Sequence, residues 1–206
     1  MQSGEKLRVY HWPDAPPLPK PGEPVLIRVD AGSPRPAARR ELRRVLAEVL
    51  AAWSGLSPEQ LPLVESHHGP VWNALLEGHT LGISLSYAGG EGWIGLLRKG
   101  AIGIDAMVIR EIPEARDVAR YYLGPEALEA IRKSSFPARA FATAWTEMEA
   151  RVKCFKAELV ERENVPPEER TKECEVRSLV TAEGVVVSVA MEGKPPANGV
   201  FRSLFA

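Results

Sequence analysis

The sequence has few cysteines, almost no net charge and no long hydrophobic run. Among its 206 residues only Cys154 and Cys174 are cysteines, and they form neither a spaced metal-binding motif nor a disulfide framework. The formal net charge of −1 at pH 7 argues against a general nucleic-acid-binding or membrane-surface protein. No apolar run approaches the roughly 20 residues that span a bilayer, and the first residues lack an apolar secretory core. We therefore predict a cytoplasmic protein with reduced thiols.

The composition is that of an ordinary globular protein, and the chain divides into two similar halves. An apolar content of 45% is enough to bury a core. Each half has the pattern of a strand, a helix and two later strands, and Lys99-Gly100 is the predicted joint between them. The first 24 residues contain six prolines, which favour an extended, largely irregular arm. We expect an α+β fold with halves at residues 1–100 and 101–206.

Five arginines accompany a helix that is predicted over residues 37–53. Apolar residues recur there at helical spacing and would face the core: Leu42, Val45, Leu46, Val49, Leu50 and Trp53. The arginines occupy the other faces: Arg35, Arg39, Arg40, Arg43 and Arg44. One interpretation is a solvated helix face on which Glu41 and Glu48 are ion-pair partners. The other is a cluster for phosphate groups, because guanidinium offers paired donors that match phosphate oxygens.

The middle of the first half combines a predicted loop with a predicted hairpin. Residues 61–73 are predicted to be loop-rich, and the adjacent His67 and His68 lack the further ligands that a metal site needs. Strands are predicted over residues 80–86 and 92–98. The turn between them contains Tyr87-Ala88-Gly89-Gly90. Its backbone N–H groups could approach a phosphate, but a simple hairpin turn explains the glycines equally well.

Asp105 is conspicuous because it interrupts an apolar strand predicted over residues 101–109. A buried carboxylate is costly without a cation, a metal or hydrogen-bond donors. It is either a structural residue that caps a turn or pairs with an arginine, or a ligand for a hard divalent cation.

A long helix is predicted from Pro137 to about residue 160. Its core stripe comprises Phe141, Trp145, Met148, Val152, Phe155 and Leu159. Glu149 and Lys153 lie one turn apart on one face of this helix. They form either an ordinary ion pair or, together with Asp105, a site of two carboxylates and one ammonium.

These candidates fall in two motifs, Gly103-Ile104-Asp105 and the sequence Trp-Thr-Glu-Met-Glu-Ala-Arg-Val-Lys at residues 145–153. The motifs resemble the two signatures of the 4′-phosphopantetheinyl transferases, Gly-(Ile/Val)-Asp and Trp-(Ser/Thr/Cys)-x-Lys-Glu-(Ala/Ser)-x-x-Lys. The intervening Tyr121-Tyr122, followed by Glu126, and the upstream Ser84-Leu85-Ser86-Tyr87 also resemble family elements. The resemblance is to the two-half, pseudo-dimeric Sfp-type branch. It implies two pseudo-symmetric halves, each a small, mostly antiparallel sheet packed on a long helix.

The resemblance also implies an enzyme of the holo-[acyl-carrier-protein] synthase type. Such an enzyme transfers 4′-phosphopantetheine from coenzyme A to a serine of an apo acyl, peptidyl or polyketide carrier protein and releases 3′,5′-ADP. Asp105 and Glu149 would hold Mg²⁺, and Glu149, directly or through water, would help to deprotonate the serine. Lys153 would contact phosphate, as a third catalytic residue. The other residues implied in coenzyme A binding are Arg39, Arg43, His68, Ser86 and Tyr87. Two halves in one chain imply a monomer.

Four positions depart from the family pattern. Met107 stands where many members have a third acidic metal ligand, and Met148 replaces a lysine. Tyr87 replaces a histidine, and His68-Gly69-Pro70 lacks the lysine of the usual Gly-Lys-Pro segment. These departures leave a second hypothesis, a non-catalytic homologue that binds coenzyme A or a carrier protein. A third hypothesis, a nucleic-acid-associated module built on the arginine-rich helix, lacks interleaved aromatic residues.

Overall fold

Two β-sheets, formed before and after Lys99-Gly100, make up the centre of the protein. The computed structural model describes residues 7–61, 64–66, 69–76, 79–165 and 173–192. The first sheet has the strand order β1-β2-β6-β5-β4-β3, and the second has the order β7-β9-β8. The strands of the first sheet are β1 Val9–His11, β2 Val25–Asp30, β3 Val64–Ser66, β4 Gly69–Leu76, β5 His79–Ala88 and β6 Glu91–Arg98. Those of the second are β7 Ile102–Val108, β8 Glu175–Val180 and β9 Val185–Met191.

Four α-helices lie in the described ranges, and two of them are long. They are α1 Arg35–Ser54, α2 Ala115–Val118, α3 Pro125–Lys133 and α4 Pro137–Phe155. A π-helical turn, Ala119–Leu123, continues α2, and short 3-10 turns occur at Pro58–Gln60 and Arg162–Asn164. None of the helices found in these ranges combines the length and the apolar character that a membrane crossing requires.

The two sheets share one topological pattern. In the first sheet β2 pairs antiparallel with β6, which pairs antiparallel with β5; in the second β7 pairs antiparallel with β9, which pairs antiparallel with β8. A long helix follows the first strand of each set, α1 after β2 and α4 after β7. The parallel pairing of β1 with β2 is the exception. The predicted α+β class with mostly antiparallel sheets is thus confirmed, whereas the division into two domains stays a prediction.

The sheets and the long helices pack as layers because alternate strand residues face opposite sides. In β2, Val25 and Ile27 belong to a core with α1, whereas Leu26 belongs to a core between the two sheets. The α1 residues of the first core are Leu42, Val45, Leu46, Val49 and Leu50, as the periodicity predicts. The second core joins Leu26 and Trp93 to apolar residues of β7 and β9.

Helix α4 packs very closely on β7, and Gly103 makes this possible. A Cβ atom at residue 103 would collide with the carbonyl oxygen of Ala150 and would lie 2.5 Å from the backbone nitrogen of Cys154. No side chain fits into such a gap, so backbone lies on backbone at this point. Asp105, two residues further along the same face of β7, is therefore held at a short distance from α4.

The two sheets meet along a seam between β5 and β7. The backbone N–H of Ile104 donates to the Ser84 hydroxyl, and that of Ala106 donates to the Ser86 hydroxyl, both at 3.0 Å. Since β7 lies at the edge of its sheet among the described strands, these N–H groups have no partner strand there other than the serine side chains. The serines thus join the two sheets through side chains.

One prediction from local pattern was wrong. Residues 61–73 are predicted to be loop-rich, but β3 and most of β4 lie there, with β4 paired to β5. Long-range pairing outweighs the local turn signals in this segment. The N-terminal arm, predicted to be largely irregular, is so over its described residues 7–24 apart from the three-residue strand β1, which pairs with β2.

The long helix ends earlier than predicted. Its last residue is Phe155, because Lys156 adopts a left-handed conformation with φ of 54°. The N–H of Ala157 bonds the Val152 carbonyl, which closes the helix as a Schellman motif. Leu159, predicted as a core residue of this helix, lies beyond it and is 43% exposed.

Candidate active site

A cleft of about 550 Å³ brings most of the predicted site residues together. It lies between α1, β5, β7 and α4. We call Arg35, Arg39 and Arg43 on α1 its arginine side. Its carboxylate side consists of Asp105 on β7 with Glu149 and Lys153 on α4. Other residues of the lining are Ser86, Tyr87 and Trp145.

Helix α4 presents two neighbouring stripes, one to the sheet and one to the cleft. The stripe buried on the sheet comprises Ala142, Thr146, Ala150 and Cys154. The stripe that lines the cleft comprises Trp145, Glu149 and Lys153, each one turn from the next. The predicted core stripe was therefore only partly right, because Trp145 and Val152 are half-buried. Met148 is buried, so its side chain belongs to packing.

The negative charge of Asp105 is paired with the ammonium group of Lys153. Lys153 Nζ lies 2.6 Å from Asp105 Oδ1 and also donates to the carbonyl oxygen of Ile104 at 3.1 Å. The Ser86 hydroxyl donates to the same Oδ1 at 3.1 Å. The Asp105 side chain is only 13% exposed, so these contacts are made with little competition from water.

Glu149 is a partly desolvated carboxyl next to another carboxylate. Burial raises its pKa, the negative charge of Asp105 raises it further, and Lys153 opposes both effects. The carboxyl therefore holds a proton more readily than a solvated glutamate does. The effect of Asp105 also means that the two carboxylates are near enough to repel each other, which a cation between them would relieve.

Three of the five arginines of the first helix line the cleft, and a fourth is ion-paired on the helix surface. Arg44 forms ion pairs with Glu41 and Glu48 on the helix surface, as expected of a solvated face. Arg35, Arg39 and Arg43 line the cleft. Exposed guanidinium groups on one side of a cleft form an electropositive surface that favours anions.

Tyr87 and His68 are two further residues implied in coenzyme A binding, and the structure describes only Tyr87. Tyr87 lines the cleft, and its hydroxyl donates to the carbonyl oxygen of Gly32 at 2.7 Å, which ties β5 to the loop before α1. His68 lies outside the described residues. The glycine turn after Tyr87 is a hairpin turn in which Gly89 and Gly90 have φ of 61° and 88°.

Met107 lies on the same face of β7 as Asp105, but it packs into an apolar cluster. Its neighbours there include Ala119, Ile131 and Phe141, from the turn after α2 and from α3 and α4. A thioether in this environment offers no oxygen ligand for a hard cation. Within the described ranges, no group of three or more His, Cys, Asp or Glu side chains is placed to hold a metal ion.

A chain of hydroxyl groups, which the sequence patterns did not reveal, fastens α4 to the second sheet. The Thr146 hydroxyl lies 2.7 Å from the Ser188 hydroxyl, which lies 2.8 Å from that of Ser178. Ser178 in turn donates to Glu147 at 3.0 Å, so the chain returns to α4. Thr146 and Ser188 are fully buried. The one available signal was Ser188, a lone polar residue within the apolar strand β9.

Comparison with known proteins assigns no function to this cleft. No protein-family model matches the chain, and no curated protein matches it. What can be inferred about function therefore depends on the residues and geometry of the cleft.

Proposed function

We propose that this protein transfers the 4′-phosphopantetheine group of coenzyme A to a serine of an apo acyl, peptidyl or polyketide carrier protein and releases 3′,5′-ADP. The observation that carries the proposal is one cleft with an arginine side and a carboxylate side. Coenzyme A carries a 3′-phosphate and a pyrophosphate. The guanidinium groups suit the first, and carboxylates that share a divalent cation suit the second.

The residues of the carboxylate side fit a magnesium ion. Asp105 and Glu149 offer the hard oxygen ligands that Mg²⁺ prefers, and the ion would offset the repulsion that helps to raise the pKa of Glu149. Because Mg²⁺ keeps several of its waters, two carboxylates are sufficient, and Met107 need not contribute. When bound there, Mg²⁺ supplies charge neutralisation for the pyrophosphate.

Three parts of the site have a role in the chemical step: Glu149, Lys153 and the arginine side. Glu149 accepts the proton of the carrier serine, directly or through water. The serine oxygen bonds to the β-phosphorus, while the bond from that phosphorus to the 3′,5′-ADP oxygen breaks. Lys153, on its long stem, neutralises phosphate charge, and the arginine side holds the 3′-phosphate.

The test is modification of a carrier protein. Purified protein, coenzyme A and Mg²⁺ are incubated with a panel of apo acyl and peptidyl carrier domains, which are then weighed by mass spectrometry. We expect at least one carrier to gain the mass of one phosphopantetheine group on its serine, and no gain with Glu149→Gln. Absence of both coenzyme A binding and mass gain across the panel would contradict the proposal.

The alternative is a non-catalytic homologue that binds coenzyme A or a carrier protein. Two observations favour it: Met107 is committed to packing, and the Lys153 ammonium is engaged by Asp105. The same experiment separates the two functions. Coenzyme A binding by calorimetry that survives Glu149→Gln, with no modified carrier for either protein, supports the non-catalytic function.

A further inference from the structure

The hydroxyl of Ser86 contacts two groups of β7. Binding of coenzyme A does not explain its contact with Asp105. Its oxygen accepts the N–H of Ala106 at 3.0 Å and its proton is directed to Asp105 Oδ1 at 3.1 Å. A hydroxyl has a single proton, so the bond to the carboxylate uses the only hydrogen that Ser86 can donate. The backbone N–H fixes the oxygen and leaves that hydrogen for Asp105.

Both contacts to Asp105 fall on the same carboxylate oxygen. Lys153 Nζ and Ser86 Oγ bond Oδ1, and in the described part of the chain no hydrogen bond or ion pair is found to Oδ2. One oxygen is thus directed to protein donors, which fixes the orientation of the carboxylate. The other oxygen keeps its lone pairs for another ligand.

We propose that Ser86 is a positioning residue that orients Asp105, so that Oδ2 faces the divalent cation. The proposal rests on the proposed function, because it concerns the same metal site. Lys153 cannot hold this orientation through a reaction in which its ammonium moves to a phosphate. Ser86 can, because its short side chain is anchored on the edge of β7.

Ser84 provides a matched control for this role. It lies two residues earlier on the same face of β5 and accepts the N–H of Ile104 at 3.0 Å, as Ser86 accepts that of Ala106. In the ranges described, no hydrogen bond joins Ser84 to Asp105. Replacing either serine by alanine removes one hydroxyl from the seam, but only Ser86→Ala also removes a hydrogen bond to Asp105.

The experiment measures binding of Mn²⁺, an oxygen-binding substitute for Mg²⁺, by electron paramagnetic resonance on the full chain without coenzyme A. Partners that orient a metal ligand are typically worth about 10–100-fold in metal affinity. We expect Ser86→Ala to weaken Mn²⁺ binding by about 10-fold or more. We expect Ser84→Ala to bind as the wild type does, and Ser86→Thr, which keeps a hydroxyl, to restore binding. Asp105→Ala should abolish it.

Each other outcome has a distinct meaning. Equal losses for Ser84→Ala and Ser86→Ala, or no loss for Ser86→Ala while Asp105→Ala abolishes binding, would overturn the role of Ser86 and leave the proposed function standing. Mn²⁺ binding that survives Asp105→Ala would overturn the metal site itself. If Ser86→Ala does not fold, Ser86→Cys replaces it with the same expected loss, because a thiol is a weak donor.

Discussion

The two long helices contribute to the same cleft, but they are packed in different ways. Helix α1 rests on the first sheet through leucine and valine side chains, and its arginines extend from exposed positions. Helix α4 rests on β7 backbone to backbone at Gly103, and its cleft-lining residues Trp145, Glu149 and Lys153 are half-buried. In the first arrangement, the arginines are cations on long side chains that can adapt to a ligand. The second fixes two carboxylates and an ammonium in place, as a chemical step requires.

This comparison predicts that changes on the carboxylate side reduce rate, whereas changes on the arginine side reduce binding. The largest effect is expected for Glu149→Gln. The replacement removes the proposed general base and metal ligand, so the rate of carrier modification should fall by at least about 10²–10⁴-fold. The measurement is kcat with saturating coenzyme A. A variant that keeps most of its kcat would remove Glu149 from the chemistry.

The same variant should be more stable than the wild type at neutral pH. The pKa of Glu149 is raised in the folded protein, so its contribution to stability is present below the ordinary glutamate pKa and is lost as pH rises through the folded value. A neutral glutamine avoids this loss. The gain in free energy of unfolding should therefore be larger at about pH 8 than at about pH 4, as measured by urea denaturation. An equal gain at both would contradict the burial of a charged carboxylate.

Gly103→Ala tests the close packing of α4. A Cβ atom would push against the backbone of Ala150, so we expect a loss of about 3 kcal/mol in free energy of unfolding. Gly95→Ala is the control, because its Cβ would meet only side chains, the nearest being that of Ile102 at 3.2 Å. Similar losses for both variants would mean that α4 packs no more closely on β7 at Gly103 than the side chains pack around Gly95.

Arg39→Ala tests the arginine side. Loss of one charged phosphate contact should raise the KM for coenzyme A by about 10-fold with little change in kcat, and the effect should shrink as salt is added. Arg40→Ala, an exposed position on the same helix outside the cleft lining, should leave KM unchanged. A fall in kcat with unchanged KM would contradict the division of roles between the two sides.

The smallest effect is expected for Ser188→Ala in the buried hydroxyl chain. Loss of its bonds to Thr146 and Ser178 should cost about 1 kcal/mol of unfolding free energy. Thermal unfolding measures this loss, and Ser178→Ala gives the comparison, because Ser178 is the exposed end of the same chain. A larger loss for Ser178→Ala than for Ser188→Ala would show that the buried end of the chain does not fasten α4.

The parts of the fold that could be predicted are those with a strong local pattern. The apolar periodicity of α1 and the spacing of Glu149 and Lys153 are properties of single helices, and the structure places both as predicted. The strand character of residues 64–66 and 69–76 could not be predicted, because it depends on pairing of β3 with β4 and of β4 with β5. Local turn signals from glycine and proline pointed the other way.

The site was predictable only in its outline. Asp105 was conspicuous because a carboxylate in an apolar strand needs a partner, but the sequence did not show that Lys153 is that partner. The role of Ser84 in joining the sheets arises from β5 and β7 lying side by side, which no pattern within either strand encodes. Such contacts between distant segments are fixed by tertiary packing rather than by local preference.

The most direct test of the central claim is release of 3′,5′-ADP from coenzyme A in the presence of Mg²⁺ and an apo carrier protein. We predict that the wild type releases one 3′,5′-ADP for each carrier serine modified, that Arg39→Ala does so at a similar rate once coenzyme A is saturating, and that Glu149→Gln does not. Binding of coenzyme A in the cleft without any release in the presence of apo carriers would contradict the claim.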